Sequence, residues 1–493
     1  MTGKATDGTV TEPSPTDLLD TDRAGPFAIR GGAIRAAAFA LMVLISVGSS
    51  ALLFRHLGVI ATGDYNKVVS LVTLCGGFTD AGLSAIGVRE LTTRDAAGRR
   101  DLMRSLSGLR LALSFVGVTV AVAFAAAAGY GRTLVLGTAI VGVGMMLTVM
   151  QDTYAINLTV RLRIGWVAAA DLLRVSVLVI GIVALVLAGA GLLPFYVATI
   201  PAALAAVALT AWLVRREVPL VPSVHMHAWR SLLRDAVSFS VATAVIAVYF
   251  RVALIVVSLV TDKHQTGYFS VPFRVIEVLL SVPALLVSVA FPIFARAARD
   301  DHERLEYAVG RVFDALWILG LAVGLALVVG APFMIDVVGG PLFRPSGTVL
   351  RIEGLAMVAT FVGSVCGYTL LSLHRHRQIL VVSVLALALT VALTATLAST
   401  DGARGAAIGT TIGEYAFVTM LGISVYATGL RPAISWGAML RSLIAAALGA
   451  ATLAIPGLPD VVRVTLALGL FGGALLVLRA VPSEILEQLP WTS

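Results

Sequence analysis

Runs of about twenty mostly apolar residues follow one another along this chain with only short polar breaks, and a run of that length is what an α-helix needs to cross a bilayer. They fall at 33–55, 65–88, 109–129, 133–157, 166–189, 192–214, 236–260, 267–295, 311–336, 349–373, 378–398, 403–427, 438–456 and 461–480. The expected fold is therefore an all-α polytopic membrane protein with about fourteen transmembrane helices. Composition agrees: 58% of the 493 residues are hydrophobic and 13% charged, against about a quarter charged in a soluble domain.

The net charge of +8 does not indicate nucleic acid, because the basic residues sit in short breaks beside spans. One set of breaks carries Arg94, Arg99, Arg100 and Arg104; Arg161 and Arg163; Arg215, Arg216, Arg230 and Arg234; Arg296, Arg299 and Arg304; Arg375 and Arg377; Arg431 and Arg441. The alternate breaks hold about one basic residue each: Arg132, Lys263, Arg344 and Arg404. By the positive-inside rule the basic set is cytoplasmic, which predicts both termini there; the expected location is the plasma (inner) membrane. The first apolar run starts late and has full span length, so an uncleaved anchor is expected rather than a signal peptide. Cys75 and Cys366 fall inside spans and read as small packing residues.

No break is long enough for a folded soluble domain. A weak internal repeat divides the chain. Thr62-Gly63-Asp64-Tyr65 follows the first span, Thr266-Gly267-Tyr268 follows the seventh, and each leads into a span that ends in a basic stretch. Six helices is an even number, so the two units keep one orientation and are related by an axis along the membrane normal, with a pathway between them. The expected organisation is a disordered tail at 1–29, a six-helix lobe at 30–216, a second at 217–430, and two further helices at 431–493. Gly76, Gly77, Gly82 and Gly87 loosen the span 65–88; Pro272, Pro283 and Pro292 interrupt its counterpart at 267–295.

Charges inside spans require a reason, because each costs at least about 2.5 kcal/mol on insertion scales. Arg251 lies well inside 236–260. It either faces a water-filled cavity and holds an anion such as a diphosphate, or pairs with a carboxylate on a neighbouring helix. Arg274 and Glu277 share a helix face as a local salt bridge or as a cavity-lining pair, and Asp171 and Arg174 have the same spacing. Asp80 and Glu414 are carboxylates deep enough to bind a cation or exchange a proton, or are held by hydrogen bonds from neighbouring helices. Arg35, near the start of the first span, snorkels or guards a cavity mouth. Asp152, Glu353 and Asp314 sit closer to span ends and need less explanation. Walker, His-Glu-x-x-His and Gly-x-Ser-x-Gly motifs are missing, so no catalytic residue, metal or cofactor is expected and the protein is not read as an enzyme.

The stretch Phe54-Arg55-His56-Leu57-Gly58 through Thr62-Gly63-Asp64-Tyr65, on to Asp80-Ala81-Gly82-Leu83 and Val88-Arg89-Glu90-Leu91, resembles the polysaccharide and O-antigen flippases. Tyr249-Phe250-Arg251, Gly267-Tyr268, Arg274-Val275-Ile276-Glu277 and Phe291-Pro292 are similar to that family's seventh and eighth helices. Gly367-Tyr368 through Leu371, then the turn at His374–Arg377, looks like its tenth-to-eleventh helix turn. The resemblance implies a two-lobed bundle around a cationic central cavity, in a superfamily that also holds multidrug extruders and peptidoglycan-precursor flippases. It implies translocation of a polyprenyl-diphosphate-linked oligosaccharide to the outer leaflet by alternating access, with Arg251 and Arg274 attracting the diphosphate. Membrane lipids and polysaccharide-assembly proteins would be its partners, and nucleic acid would not. One departure stands out: Val252-Ala253 follows Arg251 where the family often has an acidic residue, so Arg251 is either freer for an anion or paired with another helix. The alternative readings are a cation-coupled small-molecule exporter on the same fold, which needs Asp80 or Glu414, and a membrane-embedded glycosyltransferase or polymerase. The second would need catalytic carboxylates on an outer loop, and 337–348 offers only Arg344.

Overall fold

The computed structural model describes residues 24–80, 83–93, 95–161, 163–224 and 226–480. The side chains of Arg35 and Asp80, together with Arg94, Ala81-Gly82, and the side chains of His225 and His227, lie outside the described residues, as does the tail up to residue 23. The chain divides into two units, Met1–Ser46 and Val47–Ser493. In the first, the described part is helical backbone from Ala24, inside the expected tail; Pro26, two residues in, suits a first turn whose N–H groups have no helical partner. Everything that follows concerns the second unit.

Among the described residues the structure is helical throughout, and eleven helices are long and apolar enough to cross a membrane. They are drawn from α1 (Ala24–Asp80), α2 (Leu83–Thr93), α3 (Ala96–Ala127), α4 (Arg132–Val160), α5 (Ile164–Leu187), α6 (Leu192–Val197), α7 (Thr199–Val214), α8 (Met226–Val260), α9 (Lys263–Leu279), α10 (Ser281–Asp300), α11 (His302–Val338), α12 (Ser346–Ser372), α13 (His376–Tyr426), α14 (Trp436–Ala450) and α15 (Asp460–Val477). Two of them bend sharply part-way. In α1 the backbone leaves the helix at Gly58, with φ 72°, a value open to glycine, and Thr62 donates back to the Phe54 carbonyl at 3.5 Å. In α13 the break is at Asp401-Gly402. A Cβ on Gly409 would stand 2.8 Å from Thr394 N, and Gly405 and Gly413 abut Leu397 and Thr390, so glycine every fourth residue lets the second leg lie directly on the first. Against the fourteen or so runs expected, the eleven spans among the described residues include α1 and α13, each bent part-way, and α8 adds the shorter apolar stretch Arg251–Val260.

The expected proline interruption also has a place. Between α9 and α10 the helix breaks at Leu280, and Pro283 explains why: a proline ring clashes with the carbonyl four residues back, here Leu279, the last residue of α9.

α2 to α7 pack mainly on one another around α4, while α8 to α13 pack around α12. The two groups also meet, where α2 and α3 touch α8. α14 and α15 pair and lie on α11. Of the most apolar stretch of α12, 67% is buried, against 11% in α5, so α12 is a hub and α5 lies at the periphery.

The two ends of the bundle differ. At one end, turns following α3, α5, α8 and α11 gather with the Gly58 and Gly402 bends. Arg55 donates from Nη2 to the carbonyls of Asp336 and Val337 at 2.7 and 2.8 Å, satisfying the otherwise orphaned C-terminal carbonyls of α11. His56 Nε2 donates to the Ala190 carbonyl at 2.7 Å, and Ala403 N donates to Gln265 Oε1 at 3.0 Å. At the other end lie the basic turns: Glu217 takes Arg161 and Arg163, both at 3.2 Å, and Ser223 N donates to the Arg104 carbonyl.

Candidate functional site

A cavity of about 1100 Å³ lies inside the second unit. Its wall comes from both groups of helices: Thr73 and Gly76 of α1, Arg110 of α3, Thr148 and Asp152 of α4, and Arg174 of α5 on one side. On the other stand Arg251 of α8, Phe273 and Glu277 of α9, Thr360 and Tyr368 of α12, and His376 and Glu414 of α13. His376 begins α13 beside the basic turn at 374–377, so the cavity reaches the basic end.

The opposite end is sealed by the repeat motifs themselves. Gly63 lies five residues beyond the Gly58 bend, and Gly267 five beyond Asp262, the residue that caps α9. The two glycines pack backbone to backbone. A Cβ on Gly63 would stand 2.9 Å from Gly267 N, and one on Gly267 would strike the Val59 carbonyl oxygen. Around this contact Tyr65 stacks on Tyr196, with centroids 5.5 Å apart and planes 6° from parallel. Lys67, almost fully buried, pairs with Asp64 at 3.0 Å and stands 4.5 Å from the Tyr130 ring centre. A buried ammonium so placed has its charge met by a carboxylate and by a ring face.

The structure brings three of the sequence-derived residues together. Glu277 accepts from Arg251 through Oε1 and from Arg274 through Oε2, the latter at 2.6 Å. Arg274 also donates from Nε to Ser50 of α1 at 3.3 Å. Arg251 is therefore ion-paired with a carboxylate on a neighbouring helix and also lines the cavity. The carboxylate missing after Arg251 is supplied from α9.

Glu414 stands apart from this cluster. Its Oε2 accepts from the Tyr249 hydroxyl at 2.7 Å and its Oε1 from Thr360 at 2.9 Å, linking α13 to α8 and α12. Asp171 accepts from Gln151 at 2.9 Å, and Arg174 lies 3.8 Å away on the cavity wall.

Three carboxylates read from their position as needing little explanation do need one. Asp152 lines the cavity. Asp314 is buried, accepts from Ser435 N at 3.2 Å and lies 3.8 Å from Arg311. Glu353 is buried on α12, and its Oε2 has no hydrogen-bond partner. Distance from a span end measures depth in lipid, whereas burial is set by neighbouring helices, and α11 and α12 are surrounded by them.

Sequence reasoning missed Arg110, Lys67, Tyr249 and Thr360. Arg110 begins a span and looks like flanking charge, yet it is fully buried. The i, i+3 spacing of Asp64 and Lys67 was the signal available for that pair. Tyr249 stands in the motif beside Arg251 without a role assigned to it, and nothing in the sequence marks Thr360; the role of both depends on where Glu414 falls.

A many-pass helical bundle with a charged internal cavity built from two groups of helices defines a membrane-transporter fold. Solved structures agree. The chain is similar to "Lipid II flippase MurJ, inward closed conformation" at TM-score 0.76 and 12% identity, covering 92% of this chain and 99% of that one. It is similar to an inward-facing multidrug resistance MATE family transporter of the MOP superfamily at TM-score 0.63 and 15% identity, covering 80% and 96%. A MATE protein in complex with MaL6 matches at TM-score 0.53 and 15% identity, covering 80% and 94%. No curated protein matches the chain. The family described as "Polysaccharide biosynthesis protein" matches residues 29–298, more than half of the sequence, and the chain belongs to that family.

Proposed function

We propose that this protein is a flippase that carries a polyprenyl-diphosphate-linked oligosaccharide from the inner to the outer leaflet of the plasma membrane by alternating access. The observation that supports it most is a guanidinium, Arg251, on the wall of a large cavity within apolar helices. A diphosphate is the group two converging arginines bind best, and Arg251 and Arg274 converge on Glu277. The sugars occupy the hydrated cavity and the prenyl tail stays in lipid. The six-helix units 30–216 and 217–430 are the moving halves, with the basic end and both termini cytoplasmic. Glu414, on the cavity wall between two hydroxyls, is the proposed coupling group, with Asp80 as the other candidate for that role. Family membership in polysaccharide biosynthesis and the fold shared with a lipid II flippase support the substrate class.

The test is complementation in cells lacking this protein. Arg251→Ala should insert normally yet leave a lipid-linked oligosaccharide on the cytoplasmic leaflet with loss of one surface polysaccharide. Full activity of that variant sinks the assignment.

A further inference from the structure

We propose that Glu277 sets the affinity threshold of this cavity: an internal anion that occupies Arg251 and Arg274 until a diphosphate displaces it, and that keeps singly charged phosphodiesters out. The inference rests on the flippase reading and names what selects its substrate.

Glu277 is placed to do this. Its two oxygens are divided between guanidinium groups from different helices, Oε1 to Arg251 of α8 and Oε2 to Arg274 of α9. It stands on the cavity wall with about a quarter of its side chain exposed (23%), so an entering headgroup can reach it. Glu414 makes a useful contrast: it is more deeply buried and held by neutral hydroxyls, so displacing it would free no cation. A carboxylate and a phosphate offer a guanidinium the same paired-oxygen edge, so Glu277 already occupies the arginine edges that a phosphate would use.

Charge then decides which ligands succeed. A phosphodiester brings one negative charge and would replace one negative charge. Coulomb energy is unchanged by that exchange, and the newcomer still loses its hydration. A diphosphate diester brings two charges on two phosphorus atoms, enough for each arginine to have a phosphate of its own. Bare arginines in a cavity that lipid headgroups enter would be occupied by ordinary phospholipids, which are phosphodiesters in great excess. An internal carboxylate is a repulsive element against that competitor.

The experiment is equilibrium binding by the purified full chain in non-ionic detergent. The probes are a polyprenyl-diphosphate sugar, a polyprenyl-phosphate sugar (a phosphodiester with one charge), phosphatidylglycerol and a soluble nucleotide-diphosphate sugar. Wild type is expected to prefer the diphosphate lipid over both phosphodiesters by about tenfold or more, a difference of one decade in Kd. In Glu277→Gln all three lipids should bind tighter by about tenfold or more, because the cost of displacing the carboxylate is common to them, and phosphatidylglycerol should become a measurable ligand. Should that variant fail to fold, Glu277→Asp, one methylene shorter and able to hold only one guanidinium, should show intermediate affinities. Wild-type affinity for the phosphodiesters in whichever variant folds, or weaker binding of every ligand, overturns the inference and leaves the flippase reading standing. If wild type shows no diphosphate preference and Arg251→Ala binds like wild type, both fall. Competition by the soluble sugar nucleotide as strong as by the lipid overturns the lipid-linked source.

Discussion

The two ends of this bundle are built on opposite principles. At the glycine end, side chains are removed or matched so that backbones touch: Gly63 lies against Gly267, Gly402 against Gln265, and Tyr65 flat on Tyr196. At the basic end, contacts are made by long charged side chains around Glu217, with Arg161 and Arg163 both largely exposed, and the cavity reaches that side. Dry packing seals, whereas solvated ion pairs hold loosely. An exposed pair contributes about 0–1 kcal/mol, while a tight backbone crossing cannot be loosened without moving a helix.

The sharpest way to break this comparison is accessibility. With Cys75 and Cys366 replaced by alanine, Ser364→Cys on the cavity wall should react quickly with a thiol reagent that enters from the basic end, whereas buried Thr266→Cys should be protected. Equal labelling of the two would mean the glycine end is not sealed.

Next in size is the buried pair under the seal. Lys67→Met leaves Asp64 without its ammonium partner in a site where the two side chains are only 8% and 15% exposed. A loss of about 3–5 kcal/mol is expected, visible as a lower melting temperature in detergent. Adding Asp64→Asn should recover most of it, and no recovery would show that Lys67 acts through packing.

Gly267→Ala comes third. The added methyl meets a backbone carbonyl, not a side chain that can swing away, so a cost of about 1–3 kcal/mol is expected in the same assay. Gly472→Ala, with open space around it, serves as the control and should melt no lower than wild type. The smallest effect belongs to the basic end: Arg163→Ala should change stability by about 1 kcal/mol at most, and less in high salt. A larger shift would mean the Glu217 cluster holds that end closed.

Much of this molecule was legible before any coordinates. A span needs only length and apolarity, which is why α4, α5 and α12 match their runs closely, while α11 begins nine residues before its run, in a polar stretch that apolarity does not mark. Arg251, Arg274 and Glu277 were visible because charge in lipid is costly and rare. Their grouping was not: Arg251 and Glu277 are twenty-six residues apart and meet only because α8 and α9 pack side by side. The motif residues Arg55, His56 and Gly63 carried the family likeness, and in the structure they serve the glycine-end closure, away from the charged cluster. Arg110 went unnoticed because a cation at a span edge is ordinarily solvated, and only the packing of α3 against its neighbours buries it.

Local composition therefore determined the helical, many-pass character of the protein, the alternation of its basic turns and the short set of charges that need a partner. Each of these depends on the transfer of a single segment between water and lipid. Tertiary structure decided the rest: that Glu277 takes both arginines, that Glu414 is held by Tyr249 and Thr360, and that two glycines from the two repeats touch. Those facts depend on which faces of which helices meet, and inside a bilayer that is set by close packing and paired polar groups, not by hydropathy.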